Sequence, residues 1–282
     1  MITQAFILGA GLGTRLRPLT NVLPKPLVPL FHKPLAEWAV EACEEIGCRR
    51  FAVNTHHLPG KWEGFGNGRD ISFFHEEILL ETGGGLKNIE EWIEEGSLLI
   101  HNGDIFSSMD LRKLVDAHEA SGDEVTLGLR SDGGGKRISL GANGRVEDVR
   151  SEVMGLPGTH VFTGIYCVKR EFLMRIPAGE KIAVIPAFQE LVREGGIGGV
   201  VLDEGDWMDL GDVESYLEAH RELNLEEPVH SEAVIEEGAV VKNSVIGKGA
   251  YIGKGARVSG SVIWPGARVA DSQVISGEVV IE

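Results

Sequence analysis

The 282-residue sequence has little cysteine and no long apolar segment. Its three cysteines, Cys43, Cys48 and Cys167, are too few and too scattered for a disulfide framework or a zinc cage, so we interpret them as buried thiols in a reducing compartment. No run approaches the roughly 18 apolar residues of a membrane-spanning helix, and the first residues lack the basic region and cleavage site of a signal peptide. These absences predict a cytoplasmic protein.

Positive charge is also scarce, whereas glycine is abundant. Lys and Arg total 27 against 43 Asp and Glu, which gives a formal net charge of −16. Such a balance repels a nucleic-acid backbone and an anionic bilayer, so we expect neither as a partner. The 38 glycines lie partly in short loops and partly in a regular pattern after Pro228. The pattern predicts a change of architecture at that point.

Residues 1–227 alternate short apolar runs with amphipathic segments. The spacing predicts seven buried strands, over residues 5–8, 51–54, 71–74, 97–101, 125–129, 161–168 and 199–202. It also predicts five core-facing helices, over residues 35–46, 86–94, 111–119, 187–192 and 213–223. Strands joined by helical crossovers predict an α/β fold with a Rossmann-like, mostly parallel mixed sheet flanked by helices. Ligands of such a sheet bind beyond the carboxyl ends of its strands.

After Pro228, a branched aliphatic residue recurs every six residues. With one step of five before Ile263, the positions are Val234, Val240, Ile246, Ile252, Val258, Ile263, Val269, Ile275 and Ile281. A run of hairpins is the alternative, but hairpins alternate with period two, whereas this grid is typical of a parallel β-helix. We therefore predict two domains, residues 1–227 and residues 228–282. The second resembles the small left-handed hexapeptide-repeat β-helix, with about three coils.

A glycine-rich loop, GAGLGTR, follows the first predicted strand at residues 9–15. Its backbone N–H groups can cradle a phosphate, or the loop can simply be a tight strand-to-helix turn. It lacks the Gly-Lys-Ser/Thr of a P-loop and the glycine spacing of the dinucleotide-binding motif. Lys25 follows between Pro24 and Pro26, which restrict the backbone and therefore pre-position the lysine.

Five motifs in chain order resemble those of the sugar-1-phosphate nucleotidyltransferases. They occupy residues 9–30, 81–86, 102–104, 162–166 and 207–212. The C-terminal repeats resemble the β-helix of mannose-1-phosphate guanylyltransferases, and the ETGG segment resembles N-acetylmuramate- or heptose-type members. The resemblance implies an enzyme that converts an NTP and a sugar 1-phosphate to a nucleotide-diphosphate sugar and pyrophosphate. It implies a mannose-1-phosphate guanylyltransferase-like activity, or alternatively a uridylyltransferase for a muramate or another hexose or heptose 1-phosphate.

The resemblance also implies roles for individual residues. Arg15 is expected to bind the departing pyrophosphate, and Lys25 the α-phosphate and the sugar phosphate. Asp104 and Asp209 are the expected Mg²⁺ ligands. The nucleotide contacts are expected at Leu8, Ala10, Gly11, Gly13, Thr14, Arg15, Gly83 and Gly84, and the sugar contacts at Asn54, Thr163 and Gly164. Of the acids near Asp209, we expect Asp206 to be a loop charge and Asp212 to cap the following helix.

One departure from the family pattern concerns the sugar. Many members carry a Glu-Lys-Pro segment that holds the sugar phosphate, and residues 144–157 contain no such triplet. Lys136 and Arg137 are candidate substitutes, so the identity of the sugar stays open.

Two functions from other classes also stay open. Acyl transfer on the β-helix requires a catalytic histidine, but His230, the histidine near the repeats, precedes the first coil. A non-catalytic nucleotide-sugar sensor would not require all four of Arg15, Lys25, Asp104 and Asp209. Because an uncapped coil exposes strand edges, we further expect the β-helix to promote homo-oligomerisation.

Overall fold

The computed structural model describes residues 1–94 and 96–282, and the chain divides into two compact units. The first contains residues 1–12 and 36–207, and the second contains residues 13–35 and 208–282. Residues 13–35 and 208–227, which the sequence analysis assigned to the first domain, thus pack within the second unit. Whether residues 1–227 fold independently stays a prediction.

Thirteen strands precede the repeats in the part of the chain that the structure describes. They are β1 (Gln4–Leu8), β2 (Pro29–Leu30), β3 (Lys33–Pro34), β4 (Arg50–Thr55), β5 (Asp70–His75), β6 (Ser97–Asn102), β7 (Ile105–Ser107), β8 (Val125–Arg130), β9 (Ile138–Leu140), β10 (Val146–Val149), β11 (Val161–Lys169), β12 (Ile197–Val201) and β13 (Trp207–Asp209). The α-helices are α1 (Leu35–Glu45), α2 (Glu81–Asn88), α3 (Leu111–Ser121), α4 (Ile185–Glu194) and α5 (Val213–Glu222).

All seven strands that the sequence predicts belong to one sheet of the first unit. Its order is β12-β8-β11-β6-β1-β4-β5. Strand β11 is antiparallel to both of its neighbours, β6 and β8, while the other pairings are parallel. All strands except β11 therefore point the same way, which confirms the mostly parallel mixed sheet. Helices α2, α3 and α4 pack against strands of this unit, and the apolar faces of α2 and α4 join a core that includes Phe6, Tyr166 and Phe188.

Helix α2 differs from its prediction. We expect a helix over residues 86–94, but α2 begins at Glu81 and ends at Asn88, so the ETGGG segment is helical. Glycine has low helix propensity, which is why the sequence favours a turn here. Packing leaves no room for a side chain at Gly83, because a Cβ there would lie 2.9 Å from the carbonyl oxygens of Ile182 and Ala183. A close tertiary contact therefore outweighs the local preference.

The C-terminal repeats form a parallel β-helix. Its strands are β14 (Val234–Ile235), β15 (Val240–Lys242), β16 (Val245–Ile246), β17 (Tyr251–Ile252), β18 (Arg257–Ser259), β19 (Val262–Ile263), β20 (Arg268–Val269), β21 (Val274–Ser276) and β22 (Val279–Val280). They make three sheets, β14-β17-β20, β15-β18-β21 and β16-β19-β22. Three stacked coils of three short strands confirm the predicted architecture, and the left hand of the helix stays a prediction.

The register of the repeats corrects the predicted grid. Ile252 pairs with Ile235, Val258 with Val241 and Ile263 with Val280, so these residues share the inward-facing rows. Val234, Val240 and Ile281 are therefore one residue out of register, and Val234 is 48% exposed. The cause is that a five-residue step occurs in every 17-residue coil, whereas the prediction contains only one such step.

In the described part of the chain, residues 1–94 and 96–282, no helix is long and apolar enough to cross a membrane.

Candidate active site

The first half of the glycine-rich loop leaves the carboxyl end of β1. The amide N–H of Gly9 donates to Asn54 Oδ1 at 2.7 Å, and a Cβ on Gly9 would lie 2.6 Å from the Asn54 carbonyl oxygen. Ala10 is buried, whereas Gly11 is exposed and faces open space. Of the predicted nucleotide contacts in this unit, Leu8, Ala10 and Gly11 thus form an anchored turn that ends at the surface.

Asn54 anchors this turn through a buried polar network. Its Nδ2 donates to Glu76 Oε1 at 2.7 Å, and Glu76 Oε2 accepts from the amide N–H of Leu80 at 2.8 Å. A Cβ on Gly85 would lie 2.7 Å from Asn54 Nδ2, so α2 also packs closely on the network. Glu76 belongs to none of the sequence motifs, so the sequence does not predict its place in this network. The sugar contact predicted for Asn54 stays a prediction, since in the structure this side chain hydrogen-bonds to Gly9 and Glu76.

Gly83 and Gly84 lie in the first turn of α2. Both amide N–H groups donate to the Ile182 carbonyl oxygen at 2.9 Å, and a Cβ on Gly84 would collide with the Glu180 carbonyl oxygen. The structure therefore shows why both residues must be small. Their predicted contact with the base stays a prediction.

Asp104 lies in the turn between β6 and β7, at the carboxyl edge of the sheet. The preceding amide N–H of Gly103 donates to the Leu8 carbonyl oxygen at 2.9 Å, which fixes the turn beside the end of β1. Asp104 itself is half-buried. The sheet therefore brings Leu8, Asp104 and the Asn54 network to one edge, as the position of ligands in such sheets requires.

Thr163 and Gly164 form an irregularity in β11 at the same edge. The Thr163 hydroxyl is buried, donates to the Gly128 carbonyl oxygen at 2.8 Å and accepts from the Ile165 N–H at 3.2 Å. Gly164 has φ = +76°, and a Cβ there would lie 2.7 Å from Asn102 Nδ2. The indole N–H of Trp207 donates to the Thr163 carbonyl oxygen at 2.8 Å. Because these contacts engage the Thr163 hydroxyl, a sugar bound here would have to contact backbone groups instead of this side chain.

The second unit contains the rest of the glycine-rich loop. Gly13 adopts φ = +59°, and a Cβ there would lie 2.6 Å from Thr20 Cγ2, while the Thr20 hydroxyl donates to the Gly13 carbonyl oxygen at 2.8 Å. Thr14 and Arg15 follow in a short 3₁₀ helix and are exposed. The Arg15 guanidinium lies over Gly211, where a Cβ would be 2.9 Å from Nη2.

Lys25 and Asp209 form a charged pair in this unit. Lys25 is only 6% exposed, and its Nζ lies 3.8 Å from Oδ1 of Asp209, whose side chain is 49% exposed. Burying an ammonium group costs free energy unless an opposite charge faces it. The Asp209 carboxylate therefore offsets part of the cost of burying Lys25. The predicted pre-positioning of Lys25 agrees with this burial.

The two acids near Asp209 occupy the predicted places. Asp212 Oδ1 accepts from the Ser215 N–H at 2.9 Å and Ser215 Oγ accepts from the Asp212 N–H at 3.2 Å, which is a reciprocal cap of α5. These hydrogen bonds lower the pKa of Asp212. Asp206 is exposed, and its backbone N–H bonds to Ser108 Oγ. Both expectations are confirmed, so Asp209 is the acid of the three that faces Lys25.

The donor set suits a hard divalent cation that also binds phosphate. Asp104 and Asp209 offer carboxylate oxygens, the ligand type that Mg²⁺ prefers. Within residues 1–94 and 96–282, no three His, Cys, Asp or Glu side chains lie close enough together to hold a metal alone. Mg²⁺ commonly uses one or two carboxylates and completes its shell with water and phosphate oxygens, so the chemistry of each carboxylate fits it. The joint metal site predicted for Asp104 and Asp209 stays a prediction.

Comparison with known proteins agrees with these features. The sequence profile of the family described as nucleotidyl transferase matches residues 4–226. The chain belongs to this family. The match includes the glycine-rich loop, Lys25, Asp104 and Asp209, and ends before the β-helix.

Two curated relatives of this chain differ in the substrates that their names give. The mannose-1-phosphate guanylyltransferase of Mycobacterium tuberculosis is 30% identical over 231 residues, with 78% of this chain and 64% of the relative aligned. The N-acetylmuramate α-1-phosphate uridylyltransferase of Caulobacter vibrioides is 30% identical over 239 residues, with 78% of this chain and 96% of the relative aligned. The chain thus spans less than two thirds of the length of the mycobacterial protein.

A solved structure supports the fold of this chain. A crystal structure from Bacillus anthracis, described as a glucose-1-phosphate thymidylyltransferase, aligns with a TM-score of 0.69 and 19% identity, covering 79% of this chain and 97% of the other. At this identity the likeness concerns the fold alone.

Proposed function

We propose that the protein transfers a nucleotidyl group from an NTP to a sugar 1-phosphate. The observation that carries the proposal is the buried Lys25 facing Asp209, within a chain whose family match contains the whole predicted set of charged residues. A sugar-phosphate oxygen attacks the α-phosphorus and forms the new P–O bond, while the bond to the β-phosphate breaks and pyrophosphate leaves. Because the attacking oxygen is already anionic at neutral pH, the reaction requires no general base.

The chemical task is to bring several negative charges together in line. Arg15 presents a planar set of donors at the surface, which suits the β- and γ-phosphates of the leaving pyrophosphate. Lys25 presents a point charge from a rigid, buried stem, which suits the α-phosphate in the transition state. We assign catalysis to these two cations.

Mg²⁺ is the proposed cofactor, with Asp104 and Asp209 as its protein ligands. When bound, it would neutralise phosphate charge and orient the NTP. The Asp209 carboxylate would then bind the metal instead of facing Lys25. The positive charge of Lys25 would be left to interact with the substrate phosphates. Gly11, Gly13 and Thr14 are the proposed backbone contacts to phosphate, and Leu8, Ala10, Gly83 and Gly84 the proposed contacts to the base.

Two substrate pairs are candidates. The mycobacterial relative supports mannose 1-phosphate with GTP, and the Caulobacter relative supports N-acetylmuramate 1-phosphate with UTP. Sugar contacts are proposed at Gly164 and Thr163 through the backbone and at Asn54.

The decisive experiment is a matrix of NTPs against sugar 1-phosphates with Mg²⁺, scored by pyrophosphate release. We expect turnover for at least one pair. We further expect Lys25→Ala to lower kcat about a hundredfold or more, because a charge aimed at the transition state is lost, and Arg15→Ala also to raise the KM for the NTP. If every combination with folded protein releases no pyrophosphate, the proposal fails.

A further inference from the structure

A β-hairpin at the ligand-binding edge of the first unit carries an unusual concentration of positive charge. Strands β9 and β10 pair antiparallel, with Val149 opposite Ile138. At the next position of this ladder, the Arg150 N–H donates to the Arg137 carbonyl oxygen at 2.7 Å. Together with the neighbouring Lys136, these two arginines form what we call the hairpin cationic cluster.

The hairpin cationic cluster is exposed, and Lys136 lies near enough to Asp132 to help lower the pKa of that carboxyl, after Arg130. Among the described residues, Lys136, Arg137 and Arg150 form no ion pair, although the chain has a net charge of −16. The nearby acids are engaged elsewhere: Asp132 pairs with Arg130, and Glu152 Oε2 accepts from Gln189 Nε2 at 2.6 Å. Like charges that share this end of the hairpin repel each other. An external anion would relieve this cost.

The backbone beneath the cluster is held rigidly. Asp148 is fully buried, and its carboxylate accepts from the N–H groups of Val153, Met154 and Leu156 at 3.1, 2.7 and 3.0 Å. Burial by itself raises the pKa of Asp148, but these backbone donors outweigh it, and the pKa is lowered. Arg150 has φ = +63°, a strained conformation for a residue with a side chain. The buried carboxylate thus fixes the loop that starts at Arg150.

The sheet topology places the cluster beside the sugar end of the site. The N–H of Arg137 donates to the His160 carbonyl oxygen at 3.0 Å, and His160 directly precedes β11. His160 lies three residues before Thr163, about 10 Å along an extended strand. A long arginine side chain can therefore reach groups of a sugar held at Thr163 and Gly164.

We propose that the hairpin cationic cluster selects sugar 1-phosphates whose sugar carries a second negatively charged group. A neutral hexose 1-phosphate brings one phosphate, which Lys25 is proposed to meet, and it would leave Arg137 and Arg150 without a counter-ion. A carboxylate or a second phosphate on the sugar would supply it, and a planar guanidinium pair suits either group. This inference rests on the proposed function, because it concerns the sugar of the same reaction.

The test uses matched substrates that differ in charge at one position. Glucose 1-phosphate is compared with glucuronic acid 1-phosphate and with glucose 1,6-bisphosphate, and mannose 1-phosphate with mannuronic acid 1-phosphate. For the wild type we expect kcat/KM to be at least about tenfold higher for an acidic member than for its neutral partner. The two kinds of anion distinguish a carboxylate preference from a phosphate preference.

The variants locate the preference. In Arg137→Ala/Arg150→Ala we expect the acidic-to-neutral ratio to fall to about one through a loss of kcat/KM for the acidic sugar, while the KM for the NTP stays unchanged. Arg150→Lys should retain part of the ratio. Arg193→Ala is the control for loss of a surface arginine, because it removes one positive charge from an exposed position on α4 and should leave the ratio intact. A merely structural role of the arginines would lower activity with both sugars.

Two results would overturn the inference: a wild-type ratio of one or less for every pair, or a ratio that survives in the double variant. If no substrate pair releases pyrophosphate, the proposed function fails, and calorimetric binding of the same sugar phosphates to wild type and double variant still decides the inference. Equal binding of acidic and neutral sugars, or no binding at all, would then count against it.

Discussion

Asp209 is a half-exposed carboxylate that faces a buried ammonium group, and its two neighbouring acids have other tasks. Asp212 caps α5 and Asp206 is a loop charge, so each of the three acids can be removed with a different expected result. Losing a metal-ligating carboxylate removes several kcal/mol of charge stabilisation in the transition state, and 1.36 kcal/mol is about tenfold in rate.

We therefore predict that Asp209→Asn and Asp104→Asn each lower kcat/KM about a thousandfold or more, with a weaker dependence on Mg²⁺. Asp104→Asn should leave Tm nearly unchanged, whereas Asp209→Asn should also lower Tm, because it removes the carboxylate charge that faces the buried Lys25. Asp206→Asn, which removes the same charge three residues away, should be close to neutral. Steady-state kinetics over a Mg²⁺ titration and thermal unfolding check both statements. A large catalytic loss in Asp206→Asn without one in Asp209→Asn would show that the motif is assigned in the wrong register.

His220 is a second residue whose charge state the structure determines. The Phe31 N–H donates to His220 Nε2 at 3.1 Å, and Nδ1 lies 2.8 Å from the Tyr216 carbonyl oxygen, so the ring is neutral with its proton on Nδ1. Burial lowers the pKa of His220 to about 4. The unfolded chain keeps a histidine pKa of about 6.5.

Between pH 6.5 and 4 the unfolded state thus binds more protons at His220 than the folded state does. The stabilisation is complete above about pH 6.5 and is lost as the pH falls towards 4, by up to about 1.4 kcal/mol per pH unit. We predict that His220→Gln lowers the free energy of unfolding at pH 7 but flattens its decline below pH 6.5. Denaturant unfolding from pH 4.5 to 7.5 measures the slope. An NMR titration of His220 in the folded protein with a pKa near 6.5 would contradict this prediction.

At the scale of elements, the sequence predicts best where one local signal agrees with the tertiary structure. The seven sheet strands are found because each is a short apolar run bounded by breakers, as in residues 97–101, observed as β6. Helix α2 is displaced because the reason for its glycines lies in the distant segment at Ile182. The predicted register of the β-helix differs from the observed one by one residue at some positions. There, two adjacent aliphatic residues, such as Val240 and Val241, fit the six-residue spacing equally well. The Asn54–Glu76 network is missed because it joins residues with no shared motif.

The caps of α3 and α5 provide a prediction at this scale. Asp110 Oδ1 accepts from the Arg112 N–H at 3.1 Å, much as Asp212 Oδ1 accepts from Ser215. Because an alanine leaves an N-terminal donor of the helix without its partner, Asp212→Ala should lower the free energy of unfolding by about 1 kcal/mol, and Asp110→Ala by a similar amount. Urea unfolding measures both. If Asp212→Ala instead reduces kcat/KM as strongly as Asp209→Asn, its carboxylate has a role beyond the cap.

At the scale of the whole molecule, the second unit joins sequence segments that the predicted boundary at residue 227 separates. The buried Tyr216 hydroxyl on α5 donates to the Pro29 carbonyl oxygen at 2.6 Å and accepts from the Trp264 indole N–H of the β-helix at 3.1 Å. Val229 also pairs with Ile246. The β-helix is therefore hydrogen-bonded through α5 to the segment that carries Arg15 and Lys25, which a boundary placed by composition could not reveal.

The first coil of the β-helix carries the last prediction. Ile235 occupies an inward-facing row but is 41% exposed, because no coil precedes it, whereas Ile252 in the next coil is fully buried. An open end with apolar side chains and strand edges favours association with a second copy of the chain.

We predict that light scattering gives the full chain a mass above its 30.5 kDa monomer mass. Residues 1–227 alone should be monomeric and able to bind an NTP. This fragment should also be less stable than the full chain, since Tyr216 loses its hydrogen bond from Trp264. Ile235→Asp in the full chain should dissociate the oligomer without unfolding it. Equal subunit numbers for the full and shortened chains would exclude the β-helix as the association element, and an insoluble 1–227 fragment would show that the repeats are part of the folding unit.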